Sequence, residues 1–338
     1  MRRHLLRIWF ISLLLTLGMV WVPGASLAQS IDSLFRRGLD ALEDRRYDES
    51  EAIWRQVIQL DPRNAVAYYN LGLVLQLKGT LDDAVTAYRQ AIQLDPDYAP
   101  AYYNLGTVFY DQGKLDEAEQ AYRQAIELDY NAYAYNNLGI ILYLKGNLEE
   151  AAEAYRAALE ERDVDGTPAS AHTLAYSNLG DILRDQEQYE EATQLYRRSI
   201  ALDEDYSPNY SSLGIVLLRQ GRLEEAIEAC KTALNLEDED ATITTAHALA
   251  YTTLGEIAQQ QENLADAIDA YEKALEIDPE YETAQTLLQE AEQLVAGTDD
   301  PDPQSPNPQP NSQSDPESSE LQSLGAALRS AVMDIFSQ

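Results

Sequence analysis

The chain has 338 residues, with 58 acidic and 24 basic side chains and a formal charge of −34. That balance disfavours duplex DNA and anionic membrane as partners, because phosphates would be repelled rather than neutralised. With 45% hydrophobic and 9% aromatic residues the chain can still build a core, as two domains or one elongated array, and its single cysteine, Cys230, rules out an intrachain disulfide or a cysteine-based zinc site.

Arg2, Arg3 and Arg7 precede an apolar run from Ile8 to Val22; Pro23 and Gly24 follow, with small residues at Ser26 and Ala28. This order reads as a secretory signal over residues 1–28, cleaved before Gln29. A spanning helix needs about 20 apolar residues, so the run is short for a permanent anchor, which is the alternative reading. Loss of the three arginines takes the charge from −34 to −37.

From there the chain repeats itself. Glycines recur at Gly38, Gly72, Gly106, Gly139, Gly180, Gly214 and Gly255, in steps of 34, 34, 33, 41, 34 and 41 residues. From Gly72 onward each follows a leucine, and a tyrosine stands three residues before that leucine: Tyr68, Tyr102, Tyr135, Tyr176, Tyr210 and Tyr251. Twelve residues after each glycine comes a small residue (Ser50 or alanine), and four further on a larger one: Trp54, Tyr88, Tyr122, Tyr155, Tyr196, Cys230 and Tyr271. Tyr, Leu and Gly at this spacing share one helical face, where glycine lets a second helix approach. Gly79, Gly113, Gly146 and Gly221 sit where the first helix must turn, and acidic pairs such as Asp82-Asp83 and Glu224-Glu225 fall in the first turn of the second helix. There each meets the positive end of the helix dipole, worth about 0.3–1 kcal/mol at the surface.

This pattern resembles the tetratricopeptide repeat over residues 31–281. The resemblance implies an all-α fold: a right-handed superhelical solenoid of about seven helix-turn-helix units. The first unit departs most, with Leu34 and Arg37 in place of the aromatic and the leucine. Residues 132–206 and 207–281 align without gaps as a duplicated pair of units, each carrying seven extra residues that could lengthen the following first helix by about two turns. Such long units look like those of the kinesin light chain. Residues 282–296 read as a capping helix, so the solenoid spans 29–296. Residues 297–320, rich in proline and acid, read as disordered linker. In 321–338, Leu321, Leu324, Leu328, Val332 and Ile335 fall near one stripe of an amphipathic helix. It could dock on a partner or into the chain's own groove, or be a tail with only nascent helix; one arginine and no lysine argue against membrane.

Twenty-two tyrosines stand against four phenylalanines, and eleven of the tyrosines fill the two aromatic core positions of the units. In the family the first helices line a concave groove. Carried over by repeat position, this places Tyr69, Leu73, Gln76, Tyr103, Thr107, Tyr110, Tyr133, Ile140 and Tyr143 on an aromatic, nearly uncharged inner wall, and Asp181, Arg184, Asp185, Arg219 and Glu256 on a charged continuation. Asn70, Asn104, Asn137 and Asn178 precede the leucines of four successive units and could bond an extended peptide backbone. Their ladder resembles that of O-linked N-acetylglucosamine transferase. The implied function is an exported scaffold that holds peptide segments of partner proteins, with no cofactor and no catalysis. Tyrosine as mere soluble filler, and a carbohydrate-binding or envelope-assembly role for the same tyrosines and asparagines, are the alternatives. The matching first helices carry almost no lysine, unlike family members that clamp a carboxylate. Repeats rich in Tyr-Asn-Asn-Leu-Gly resemble those of cyanobacterial proteins, which suggests the periplasm or the thylakoid lumen. His172 and His247 lie two units apart, too far to share a metal, and Cys230 takes a core aromatic position.

Overall fold

A computed structural model describes residues 23–128, 130–164, 169–236 and 241–298; of 23–29, 241–245 and 297–298 only the backbone is described. The described residues form fifteen helices and no strand. Unit one pairs α1 (Pro23–Glu43) with α2 (Tyr47–Leu60), and unit two α3 (Ala65–Leu77) with α4 (Leu81–Leu94). Units three and four follow as α5 (Ala99–Asp111) with α6 (Leu115–Glu127), and α7 (Ala132–Leu144) with α8 (Leu148–Glu160). The last three are α9 (Ala171–Asp185) with α10 (Tyr189–Leu202), α11 (Ser207–Arg219) with α12 (Leu223–Asn235), and α13 (Ala241–Gln260) with α14 (Leu264–Ile277). Helix α15 (Glu282–Thr298) packs on α14 and closes the array, running two residues past the expected boundary. Each helix packs chiefly on its neighbours in the chain, and first helices of successive units also touch, as α7 on α9 and α11 on α13. This is the expected all-α solenoid.

The glycine-to-aromatic pairing sets the packing inside each unit. A Cβ placed on Gly72 would lie 2.7 Å from the ring of Tyr88, and one on Gly106 2.8 Å from Tyr122. Both rings are buried, and full burial of such a side chain stabilises by roughly 2–3 kcal/mol. In unit one Trp54 takes the tyrosine's place against Gly38. The serine at the small position there, Ser50, donates to the Gly38 carbonyl at 2.8 Å and accepts the Trp54 indole N–H at 3.1 Å.

The turns between paired helices need a left-handed residue. Gly79, Gly113, Gly146 and Gly221 provide it with φ of 75°, 72°, 78° and 73°. In units one, five and seven Arg45, Glu187 and Glu262 adopt the same conformation, at 56°, 58° and 60°. The acidic pairs do sit in the first turns of the second helices. They also bridge units: Lys78 reaches Asp48 at 2.5 Å and Glu51 at 2.7 Å, and Lys145 reaches Asp116 and Glu119, both at 2.6 Å.

The two seven-residue inserts take different forms. Helix α13 has 20 residues against 13 for α11, so here the insert lengthens the helix as expected. Helix α9 has only 15 and starts at Ala171, capped by Ser170, whose hydroxyl accepts from the Thr173 N–H at 3.2 Å. The sequence just before it holds Gly166 and Pro168, which the second insert lacks, and both oppose helix extension. The first insert thus adds only two residues to α9 relative to the 13 of α7, and not the two turns it could have added.

One buried apolar cluster runs from Leu34 to Ile182. From Ala192 onward the buried apolar residues described divide into four smaller clusters. The expected signal run up to Val22, the linker from 299 to 320 and the terminal helix 321–338 lie outside the described residues. Helix α1 begins at Pro23 and carries the expected cleavage point before Gln29 within it.

Candidate functional site

Counted from the unit glycine, the expected inner wall draws on the first-helix residues three and two before it, and one and four after it. The residue three before is Tyr69 in unit two and Tyr103 in unit three. Tyr69 is half-buried, its ring edge-on to Tyr98 at 5.2 Å between centroids. Tyr103 is buried and stacks on Tyr130 at 4.9 Å. Both rings therefore fill the junction to the next unit. Burial pushes both hydroxyls above their ordinary range.

The asparagines close the same junctions. Asn104 donates its amide N–H to the Tyr69 hydroxyl at 3.1 Å, and Asn137 to the Tyr103 hydroxyl at 3.0 Å. Asn137 also lies 3.4 Å from the Tyr122 hydroxyl, which donates to Thr107 Oγ1 at 3.2 Å. Asn70 donates to the Val66 carbonyl of its own helix at 2.8 Å. This corrects the expected ladder: three of its four amide donors are bound to the chain itself, and only Asn178 stands half-buried without such a bond.

Tyr133 is a second correction. It lies six residues before Gly139, one helical turn earlier than Tyr69 and Tyr103 in their units. It is buried and donates its hydroxyl proton to the Ala169 carbonyl at 2.9 Å, so neither ring nor hydroxyl is open to a ligand. The residue in register there is Asn136, which donates to the Ala171 carbonyl at 2.8 Å. Ser211, its counterpart in the duplicated pair, donates to the Ala246 carbonyl at 2.7 Å. In units four and six the tyrosine–asparagine contact thus gives way to a side-chain bond onto the backbone of the longer unit that follows.

Of the expected wall positions, Tyr110 and Tyr143, four after the glycine, remain half-exposed, while Leu73, Thr107 and Ile140 are buried. Gln76, at the same position in unit two, is buried and accepts from the Tyr88 hydroxyl at 2.9 Å. Tyr143 donates to the Asp185 carboxylate, and burial first, then that carboxylate, raises its hydroxyl pKa. Arg184 is held at 3.0 Å by both Asp181 and Asp185, and the Tyr196 hydroxyl donates to Asp181 at 2.7 Å. Arg219 pairs with Glu256 at 2.8 Å. The charged half of the wall is therefore largely neutralised by its own ion pairs.

Each histidine meets a backbone carbonyl of the preceding unit: the Nε2 of His172 lies 3.0 Å from that of Glu161, and that of His247 2.9 Å from that of Ala233. Cys230 is buried, and burial pushes its thiol up to about 12, unsuited to nucleophilic chemistry. No group of three metal-ligating side chains occurs among the described residues.

Family models of the tetratricopeptide repeat match residues 46–79, 77–113 and 180–221, residues 103–168, and residues 207–280. Together these span most of the chain. The chain belongs to the tetratricopeptide repeat family. No curated protein matches it. Among solved structures it is similar to a tetratricopeptide repeat protein from Parabacteroides merdae, at 17% identity and TM-score 0.57, over 78% of this chain and 99% of that one. It is also similar to PilF of Pseudomonas aeruginosa, at 21% identity and TM-score 0.54, over 67% of this chain and 97% of that one. In the Cut9–Hcn1 tetramer of the anaphase-promoting complex, the match has 22% identity and TM-score 0.58, over 75% of this chain but only 48% of the other. These likenesses are likenesses of fold. Tetratricopeptide repeat proteins are generally scaffolds for protein–protein contact, and that general role is the one the family supplies here.

Proposed function

We propose that this tetratricopeptide repeat chain is an exported scaffold that holds peptide segments of partner proteins along its inner wall. The observation that supports it most is the pair Tyr110 and Tyr143, half-exposed at the same repeat position of successive first helices. Rigid, partly exposed aromatic rings are what an apolar side chain of a peptide needs for affinity. Tyr69 and Asn178, also half-buried, would extend this surface along the first helices. Leu73, Tyr103, Asn104 and Ile140 are buried and would support it rather than meet a ligand. A carbohydrate ligand would draw on free tyrosine–asparagine pairs, and these are bonded to each other, so the peptide reading is preferred.

Export rests on the N-terminal sequence: a basic start, an apolar run and small residues before Gln29. No helix among the described residues is long and apolar enough to cross a membrane. The compartment we propose is the periplasm or the thylakoid lumen.

The test replaces Tyr110 or Tyr143 with a photo-crosslinking phenylalanine analogue and irradiates envelope extract. A protein crosslinked from both positions and lost with the Tyr110→Ala/Tyr143→Ala variant supports the reading. Crosslinks that persist from Leu202, at the far end of a second helix, but never form from the wall would overturn it.

A further inference from the structure

Outside the inner wall, a cleft of about 360 Å³ opens between α10 and α12 over α11. Its floor is apolar: Tyr210, Leu213, Leu217 and Ala229. Glu224, Glu225 and Glu228 rim it, against the single guanidinium of Arg197. That arginine is already committed to Glu225, at 3.1 Å, as is Arg222 at 2.7 Å. Glu228 lies 3.7 Å from Lys231, with both side chains largely in solvent. None of the four inner-wall positions of unit six contributes to the lining.

The two units beside it show what is missing. In unit five the guanidinium of Arg198 lies over the ring of Tyr176, 6.0 Å from its centroid. In unit seven the ammonium of Lys273 lies over Tyr251 at 5.9 Å. Each cation follows its tyrosine by 22 residues, and the residue at that offset from Tyr210 is Thr232. Threonine is too short to cover the ring and carries no charge. Units two to four hold Gln90, Gln124 and Ala157 at this offset, so the contrast is with the flanking units and not with the whole array. Burial, and then the carboxylates of Glu204, Asp205 and Asp203 in the turn before α11, hold the Tyr210 hydroxyl above its ordinary range.

We propose that this cleft is a second binding site, which takes an arginine side chain of a partner protein over the Tyr210 ring. The guanidinium would occupy the place that Arg198 fills in unit five, and Glu224 and Glu228 would face it. A planar guanidinium stacks on an aromatic face and is more weakly hydrated than an ammonium, which favours arginine over lysine. This proposal does not depend on the inner wall.

The experiment titrates the full chain, labelled with 13C in its tyrosine rings, with acetyl-Gly-Arg-Gly-amide and with its citrulline counterpart. Tyr210→Phe assigns the signal. The ring signal of Tyr210 should move with the arginine peptide, stay still with citrulline, and move far more than those of Tyr176 and Tyr251. Thr232→Arg, which restores the cation of the flanking units, should weaken the response about tenfold. Thr232→Gln, which fills the space without charge, should weaken it severalfold. Tyr110→Ala/Tyr143→Ala should leave it unchanged, which separates this site from the inner wall. Equal shifts of all three tyrosines, or unaltered titrations of both Thr232 variants with native circular dichroism, would show only diffuse attraction to an acidic protein and overturn the proposal.

Discussion

The amide nitrogen of Asn104 donates to the hydroxyl of Tyr69 across 3.1 Å, joining the first helices of units three and two. The next junction repeats it with Asn137 and Tyr103 at 3.0 Å. The asparagines thus set the spacing between units before they can serve any ligand.

The two junctions should differ in cost. Asn137 is buried against two hydroxyls, so Asn137→Ala strands that of Tyr103, leaves Tyr122 only its bond to Thr107, and should destabilise by about 1–3 kcal/mol. Asn104→Ala removes one bond, but it also removes a buried carbonyl oxygen that has no partner. It should cost about 1 kcal/mol or less. Urea midpoints of the two variants check the order, and a Tyr103→Phe/Asn137→Ala cycle should show coupling.

Glycines of two kinds should fail for different reasons. Gly72→Ala pushes a Cβ to within 2.7 Å of the Tyr88 ring and should cost about 1–3 kcal/mol. Gly79 faces open space but has φ of +75°, so Gly79→Ala should cost about 1–2 kcal/mol through the backbone alone. Gly79→Asn should recover much of that loss, while Gly72→Asn should not. Thermal melts of the four variants decide it.

Arg45, Glu187 and Glu262 hold the left-handed conformation that glycine holds in the other four units. Each substitution to glycine should stabilise the chain by about 0.5–1 kcal/mol, relief of strain outweighing the extra freedom of the unfolded chain. A triple variant that melts no higher than wild type would show that the strain is absorbed elsewhere.

The buried tyrosines make the fold sensitive to alkali. Burial raises the hydroxyl pKa of Tyr88, Tyr103, Tyr155 and Tyr196 well above 10.0, and pushes Tyr130 up to about 12. A raised folded pKa means that the folded chain keeps protons the unfolded chain would release. Stability is therefore full below pH 10 and falls as pH rises above it, by up to about 1.4 kcal/mol per pH unit for each such group. Tyrosinate absorbance at 295 nm should appear in two phases, the second coinciding with loss of helical circular dichroism. Tyr130→Phe should flatten the decline between pH 10 and 12.

The repeat was legible because its markers obey spacings inside one unit. A glycine and the aromatic 16 residues later meet wherever two helices pair, so Gly72 and Tyr88 could be matched on paper. The wall was less legible. Whether Tyr103 lies in the groove or in the junction depends on how far one unit is rotated on the next, and no spacing within a unit encodes that. Tyr133 was misplaced by one helical turn because a tyrosine was read without its distance to Gly139. The two inserts have the same length, and among helix-breaking residues only Gly166 and Pro168, both in the first, separate them in sequence. The cleft at Tyr210 did have a signal: Thr232 stands where Arg198 and Lys273 stand in the neighbouring units.

Among the described residues, the buried apolar side chains join into a single cluster from Leu34 to Ile182 and into separate smaller ones from Ala192 onward. In a linear array of units, cooperativity is only as long as the contact that carries it. The first half of the molecule should thus melt as one block, while the second half opens in shorter pieces from its free end. Amide exchange would read this directly, with protection high and uniform through α2 to α8 and stepping down from α10 to α15. A partner that grips only the N-terminal wall would then hold the cooperative block and leave the remainder free to breathe.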